Sequence, residues 1–509
     1  VKETATTTDR RAVWLFFLGF WLVSLVVLRS QPFNDPGALW HIKVGDWIFA
    51  HGGFPYTDPF TWSRAGQPWI PQQWGAECLM SLAHRVGGFD ALLMLMAALL
   101  AATAAGIGKR FLDAGLHWAP TAAIVAFGFA VASFHFYLRP HIATIVLMAF
   151  VMAWLVDFDR GRIGELHLAL MIPLCIIWTN LHGGVLAGIF TYAIALVGWQ
   201  IAKPPRLRSG GLRLPPVVAG LIVLVPCLLA TFINPFGFEM HRTWWRIIGS
   251  SAVKEFIVEH QSMNLARSDG RAVAVFGAFY LLMLAGTLPK RPRLTWLIPI
   301  VWLALSIVSI RNGPLFCMTA LIALADLLPE TVWFRLLRKY GDTFVHKQRK
   351  QTPIGWKAWS VPAVAVVLSL LLQVARVPVP IIGYGWARFD QKMIPDQAMI
   401  DVLQRYAKSR PEGFPIFNDA NLGGFLIFYT PTLKIFMDDR CELYGDDGIR
   451  DYIDLANDHP ERIEEWWGKA KFDRALVEVD SMMDKYLKSS PRWKEVARCE
   501  KAALFERLD

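Results

Sequence analysis

The feature that most limits how this chain can fold is a series of eleven long apolar runs, at residues 12–28, 89–108, 119–137, 141–157, 166–180, 183–202, 215–233, 271–289, 294–310, 314–328 and 358–375. Roughly 20 apolar residues in a helix cross a bilayer core, with about 17 as the lower limit. No water is present there to satisfy backbone N–H and C=O groups, so each run is expected to be an α-helix. The runs 166–180 and 314–328 are short, and the second opens on Pro314. If 294–310 and 314–328 formed a re-entrant pair, the parity of the ends would not change. The first run follows Arg10 and Arg11 and precedes no small-residue cleavage site, so it reads as a retained helix rather than a removed leader. The expected fold class is a polytopic α-helical membrane protein with about eleven transmembrane helices.

Charge divides the chain in two. Residues 380–509 hold 24 of the 42 acidic and 19 of the 52 basic residues, whereas residues 1–379 hold 18 and 33. A transmembrane domain, 1–379, with a large first outer loop at 29–88, is therefore expected to lead into a water-soluble domain, 380–509. With the N-terminus inside, the inner loops 1–11, 109–118, 158–165, 203–214, 290–293 and 329–357 carry 21 of the 33 basic residues of the first part. The positive-inside rule then puts the N-terminus in the cytoplasm and residues 380–509 outside. The pI near 9.3 does not point to nucleic acid, because the positive excess lies between apolar runs instead of on one basic surface. The stretch Lys203–Pro216 reads as a flexible inner connection. No repeat of fixed period is visible.

The tail reads as α/β, with strands at Phe414–Phe417, Lys434–Met437 and Ala475–Val479 and helices at Ile449–Ala456 and Arg462–Lys469. Its last segment, Trp493–Leu508, is either two strands or a helix. Six cysteines without a C-x-x-C give little support to a zinc or redox site. Whether Cys441 and Cys499 pair stays open.

The polar signals sort to one side. Asn34-Asp35-Pro36-Gly37-Ala38-Leu39-Trp40-His41, Tyr56-Thr57-Asp58-Pro59-Phe60, Leu138-Arg139-Pro140-His141, Asn180-Leu181-His182-Gly183-Gly184, Asn234-Pro235-Phe236-Gly237 and Ile310-Arg311-Asn312-Gly313 all fall at outer helix ends or in outer loops. Ionisable groups at membrane depth are costly, of order 3 kcal/mol each, so their clustering at one face points to a shared outer cavity. Each has a plain structural alternative: Asp35 and Asp58 precede prolines and suit turns, His41 suits an interface, and Arg139 and Arg311 suit pairing with tail carboxylates. Asn180, His182 and Asn234 suit broken backbone at helix ends. Gly183-Gly184 suits close helix packing, Asp438-Asp439 a strand-end turn, and Trp40, Trp62 and Trp69 either an aromatic belt or stacking on a sugar.

The run Asp35-Pro36-x-x-x-Trp40-His41, with Trp47-Ile48 and Thr57-Asp58-Pro59-Phe60, resembles the first outer loop of polytopic bacterial membrane proteins of the GT-C glycosyltransferase superfamily. The Arg-Pro-His, Asn-Leu-His-Gly-Gly and Asn-Pro-x-Gly helix ends fit the same group. So does the tail, with Asn418-Asp419-x-x-x-Gly423-Gly424 and Met437-Asp438-Asp439-Arg440-x-x-Leu443-Tyr444-Gly445. The resemblance implies a GT-C-like fold in a bacterial inner membrane, with the tail periplasmic or extracellular. It also implies transfer of a sugar from a polyprenyl-phosphate-linked donor to an acceptor at the outer face. Asp35 takes the place of the first-loop carboxylate and Asp58 is a second candidate. His41, Arg139, His141, Asn180, His182, Asn234 and Arg311 are the candidate substrate-binding residues. Related sequences often read Asp-Pro-Asp, and here Gly37 stands third. No protein metal ligands are assigned, although the resemblance leaves a divalent cation open.

The chemistry accounts for these residue types. A carboxylate takes the acceptor hydroxyl's proton, and Arg or His holds the leaving phosphate. The expected partners are membrane lipids and the lipid-linked sugar, with a protein partner at residues 380–509 left open and nucleic acid excluded. A non-catalytic scaffold or assembly subunit is the alternative reading, favoured by Gly37. A transporter is the third and has the least support, because the apolar runs contain almost no ionisable groups.

Overall fold

The computed structural model describes residues 2–202, 216–340, 344–345 and 354–508, so nearly all of the Lys203–Pro216 connection lies outside the described residues. Among the described residues each of the eleven apolar runs is mainly helical, with 166–180 divided between two helices. In chain order the helices are α1 (Lys2–Val27), α2 (Gly37–His51), α3 (Trp74–Asp113), α4 (Trp118–Ala132), α5 (His141–Asp159), α6 (Glu165–Ala169), α7 (Met171–Leu181), α8 (Val185–Ala202), α9 (Pro216–Ala230), α10 (Phe238–Gly249), α11 (Ser251–Phe256), α12 (Ser268–Ala285), α13 (Leu294–Val308), α14 (Gly313–Leu327), α15 (Val332–Tyr340), α16 (Ser360–Val374), α17 (Gln397–Lys408), α18 (Ala420–Tyr429), α19 (Cys441–Asn457), α20 (Ile463–Ala470) and α21 (Met482–Ser489). Among the described residues, seven helical stretches are long and apolar enough to cross a membrane, and α7, α8 and α13 belong to shorter apolar helices. The chain is a polytopic helical membrane protein.

The short run at 314–328 is short for a physical reason. All fifteen residues of α14 are buried, and it packs against α3, α4, α5, α12 and α13. A helix apolar on every side belongs inside the protein, and one that does not face lipid need not match the bilayer's thickness. Pro314 sits in its first turn, where the missing N–H has no intrahelical partner to lose.

The expected loop 29–88 is largely helical. It holds α2 and the opening stretch of α3, which breaks at Gly87 and Gly88, the latter at φ 66°. The apolar run 89–108 begins only after that break. α2 packs against α3 on one side and α18 on the other.

The tail carries a four-stranded sheet in the order β1 (Phe417–Asn418), β2 (Arg474–Glu478), β4 (Ala502–Arg507), β3 (Trp493–Arg498). β1 and β2 are parallel, and β4 runs antiparallel to both β2 and β3. The last segment is therefore two strands. The expected strand at Lys434–Met437 is reduced to isolated bridges, Pro415 with Lys434 and Thr61 with Ile435. Each partner runs alongside for only one residue, so no ladder forms. Cys441 and Cys499 are both free.

The tail is locked onto the segment between α2 and α3. Trp62 donates from its ring nitrogen to the Ile416 carbonyl at 3.0 Å, stacks on Phe472 and lies tilted against Phe436. Its expected alternatives, belt or sugar platform, give way to this packing. Gly423 and Gly424 face the backbone of Met437 and of Pro36 so closely that a Cβ would collide with carbonyl oxygens. Gly183 and Gly184 likewise lie against Trp244 and Thr144, the close packing expected of them.

Candidate active site

A cavity of about 700 Å³ opens where the tail meets the helix ends. Its wall draws on the turn before α2, the turn before α5, the end of α7, the segment 257–269, the turn before α14 and the start of α19. Asp35, His41, Arg139, His141, His182 and Arg311 all line it.

Asp35 and Arg139 form its centre. Asp35 Oδ1 accepts from the Gly37 N–H at 2.8 Å, a local turn that aims the carboxylate, and from Arg139 Nε at 2.5 Å. Arg139 Nη2 reaches Asp439 Oδ2 at 2.5 Å, and Trp40 Nε1 donates to the other Asp439 oxygen at 2.6 Å. One guanidinium thus serves two carboxylates, one from each part of the chain. Burial pushes both carboxyls above the ordinary Asp range and the Arg139 charge opposes this; Glu259 adds to the rise at Asp35, and Asp35 adds to the rise at Asp439. The tail-pairing reading of Arg139 is seen in its contact with Asp439, and the residue also lines the cavity. Gly37 acquires a reason too: a Cβ there would lie 2.6 Å from Arg139 Nε and Nη2.

A second cluster lies along the cavity. Arg311 Nη1 is 2.5 Å from His260 Nε2 and 3.7 Å from Glu259 Oε1. Glu259 also faces His135 Nδ1 at 3.5 Å. Burial works to raise the Glu259 carboxyl, but Arg311, His135 and Arg139 outweigh it and hold it well below the usual range. Burial and Arg311 lower His260 to about 4, so it is a neutral ring at physiological pH. His182 Nδ1 accepts the Gly184 N–H at 2.9 Å and lies 2.8 Å from Thr144 Oγ1. Its proton therefore sits on Nε2, available as a donor. Burial, then Arg311, keeps that ring neutral. His141 Nε2 is 2.7 Å from the His135 carbonyl and must carry the proton to make that bond.

Three candidates lie elsewhere. Asp58 is buried away from the cavity, accepting from the Phe60 and Thr61 backbone and pairing with Arg440 Nη1 at 2.8 Å; it organises a turn and anchors the tail. Asn180 accepts from Trp74 Nε1 at 2.7 Å and donates to the Ile176 and Ile233 carbonyls. Asn234 closes its own turn with Thr231, Phe236 and Gly237. Trp69 donates to Glu442 Oε1 at 3.2 Å.

Sequence reasoning missed Glu259, His260, His135 and Glu442 and read Asp439 as part of a strand-end turn, yet all five line the cavity. The pair Glu259-His260 lay in an unread stretch between two apolar runs on the same side as the other motifs, and that position was the available signal. Asp35 and Asp439 already share the Arg139 guanidinium, and among the described residues no three His, Cys, Asp or Glu side chains group to hold an ion.

No family model and no curated protein matches this chain. Among solved structures it is similar to ArnT from Cupriavidus metallidurans bound to undecaprenyl phosphate, at 16% identity over 96% of this chain and 97% of that one, with a TM-score of 0.45. The same protein in its apo state aligns over the same shares at 15% identity and a TM-score of 0.38.

Proposed function

We propose that this chain is a membrane glycosyltransferase that moves a sugar from a polyprenyl-phosphate-linked donor to an acceptor at the outer face of a bacterial inner membrane. What supports the reading is the convergence of Asp35, Arg139, His182 and Arg311 on one cavity at the tail-side helix ends. Those groups suit the two demands of the reaction. Arg311 and the Nε2–H of His182 are donors for the leaving phosphate, and Asp35 is the carboxylate that takes the acceptor hydroxyl's proton as it attacks the anomeric carbon. Ile247, Val253, Ile257 and Val258 on the same wall suit the first carbons of a prenyl chain. The scaffold alternative leaned on Gly37, and the Arg139 contact supplies a different reason for that glycine.

Binding of a polyprenyl phosphate to the purified protein tests the reading. Arg311→Ala removes a charge-assisted donor and should weaken binding by roughly 10- to 100-fold, from about 1.5–3 kcal/mol; unchanged affinity would remove Arg311 from the phosphate site. The proposed sidedness, with residues 1–11 cytoplasmic and the tail outside, has its own check. An impermeant thiol reagent should label a cysteine placed at the exposed Asp458 and miss one at the exposed Phe344, and the reverse pattern would overturn it.

A further inference from the structure

α2 and α3 touch at Gly45. A Cβ there would collide with the Glu77 carbonyl and lie 2.7 Å from Ser81 Cβ. His41 lies one turn earlier on the same face of α2, so the close approach that Gly45 permits carries His41 onto Glu77. His41 Nδ1 is 2.9 Å from Glu77 Oε1, and the two residues are 2% and 1% exposed. Glu77 Oε2 is buried with no partner. Among the described residues His41 Nε2 makes no hydrogen bond, and His41 lines the cavity.

The surroundings decide which proton goes where. Glu77 is faced by His41, by Glu442 and Arg440 of the tail, and by its neighbour Cys78. No lysine or arginine lies within ion-pair distance of it among the described residues. A carboxylate with one orphan oxygen is poorly housed there. An imidazolium at His41 would face Arg139 and Arg440, with His141 and His182 also near. The arrangement that leaves no uncompensated charge is a carboxylic acid donating to a neutral imidazole.

We propose that Glu77 is a carboxylic acid whose O–H donates to His41 Nδ1, fixing His41 as the Nε2–H tautomer that donates to the anionic phosphate in the cavity. The identity of the anion rests on the lipid-phosphate reading above; the Glu77–His41 arrangement does not. His41 touches the ligand, and Glu77 is a positioning residue. Burial, with Glu442 adding to it, raises the Glu77 carboxyl well above the ordinary range, and burial, with Arg139 adding to it, lowers His41; both directions agree with the assignment.

The arrangement makes phosphate binding pH-dependent. When Glu77 loses its proton to solvent, the carboxylate draws the imidazole proton from Nε2 to Nδ1. Nε2 then presents a lone pair to the phosphate. Affinity is therefore held below the raised Glu77 value and lost as pH climbs through it. Glu77→Gln donates to Nδ1 from its amide at every pH and keeps the Nε2–H tautomer.

The test uses the full chain in lipid nanodiscs with farnesyl phosphate as the probe, from mildly acidic to alkaline pH. Wild type should lose affinity by about 10- to 100-fold across the alkaline limb, the worth of one hydrogen bond to a charged group. Glu77→Gln should bind like wild type at acidic pH and keep that affinity when alkaline. His41→Phe should bind weakly throughout and show no limb. The wild-type minus Glu77→Gln infrared difference at acidic pH should contain the C=O stretch of a protonated carboxyl. Absence of that band, or an alkaline limb that survives in Glu77→Gln, would overturn the proposal. A wild type that binds no probe at any pH would overturn the phosphate role and the lipid-phosphate reading together, while the infrared band still decides the Glu77–His41 pairing.

Discussion

Asp35→Asn is expected to lower turnover by roughly 10²–10⁴, the usual worth of a positioned proton acceptor, without disturbing the fold. The Asn carbonyl oxygen can still accept from Arg139 Nε and the Gly37 N–H, the two bonds that Asp35 Oδ1 makes, and Arg139 keeps Asp439. What is lost is the negative charge and the basic site. The pH profile carries the same information. A base works only when deprotonated, and burial raises the Asp35 carboxyl, so wild-type turnover should fall as pH drops through that raised value. The measurement is the rate of polyprenyl-phosphate release alongside the thermal melting curve. An Asn variant that melts like wild type and transfers at full rate would move the role of base to another residue.

Arg440→Met should destabilise the docked tail by about 3–5 kcal/mol, the usual effect of removing one partner from a buried ionic group. Arg440 is buried, with Nη1 2.8 Å from Asp58 Oδ1 and Nη2 2.6 Å from Asp438 Oδ2. The Trp69 ring lies 4.6 Å from its guanidinium carbon. Methionine fills much of the volume and leaves two buried carboxylates without a cation. Thermal unfolding, read with proteolysis of the segment between α16 and α17, reports the loss. Adding Asp58→Asn and Asp438→Asn to Arg440→Met should recover most of it, because the stranded charges are then gone. If the triple variant is no more stable than the single one, the network acts through shape and not through charge.

The two predictions separate what the sequence made legible from what it did not. Helices were readable because apolar runs in lipid have one economical way to satisfy their backbone, and the two-strand end of the tail was one of the alternatives left standing. Several cavity residues were readable as ionisable groups at helix ends on the tail side, Asp35, Arg139, His182 and Arg311 among them, whereas His135 at a similar helix end was passed over. Asp58, Asn180 and Asn234 carried the same signal, yet their partners are local or lie in the packed interface. Short polar side chains beside proline or glycine can serve a turn as readily as a ligand, and only the fold distinguishes these uses. The Asp439 contact with Arg139 spans 300 positions, beyond any reading of spacing. Glu77 was hidden differently: its role depends on a helix contact that Gly45 permits, and a lone glycine in an apolar helix does not announce its neighbour.

The bond between Arg139 and Asp439 also sets an order of events during synthesis. A ribosome adding about 5–20 residues per second needs roughly 15–60 s to travel the 300 positions from one to the other. During that interval the membrane helices emerge and insert while Arg139 has Asp35, in the first part of the chain, as an ion-pair partner. Asp439 and Glu442 arrive only with the tail, so the cavity acquires its last wall after the scaffold that holds it has been laid down. A nascent chain stalled before the tail would therefore be a membrane protein with an unfinished site.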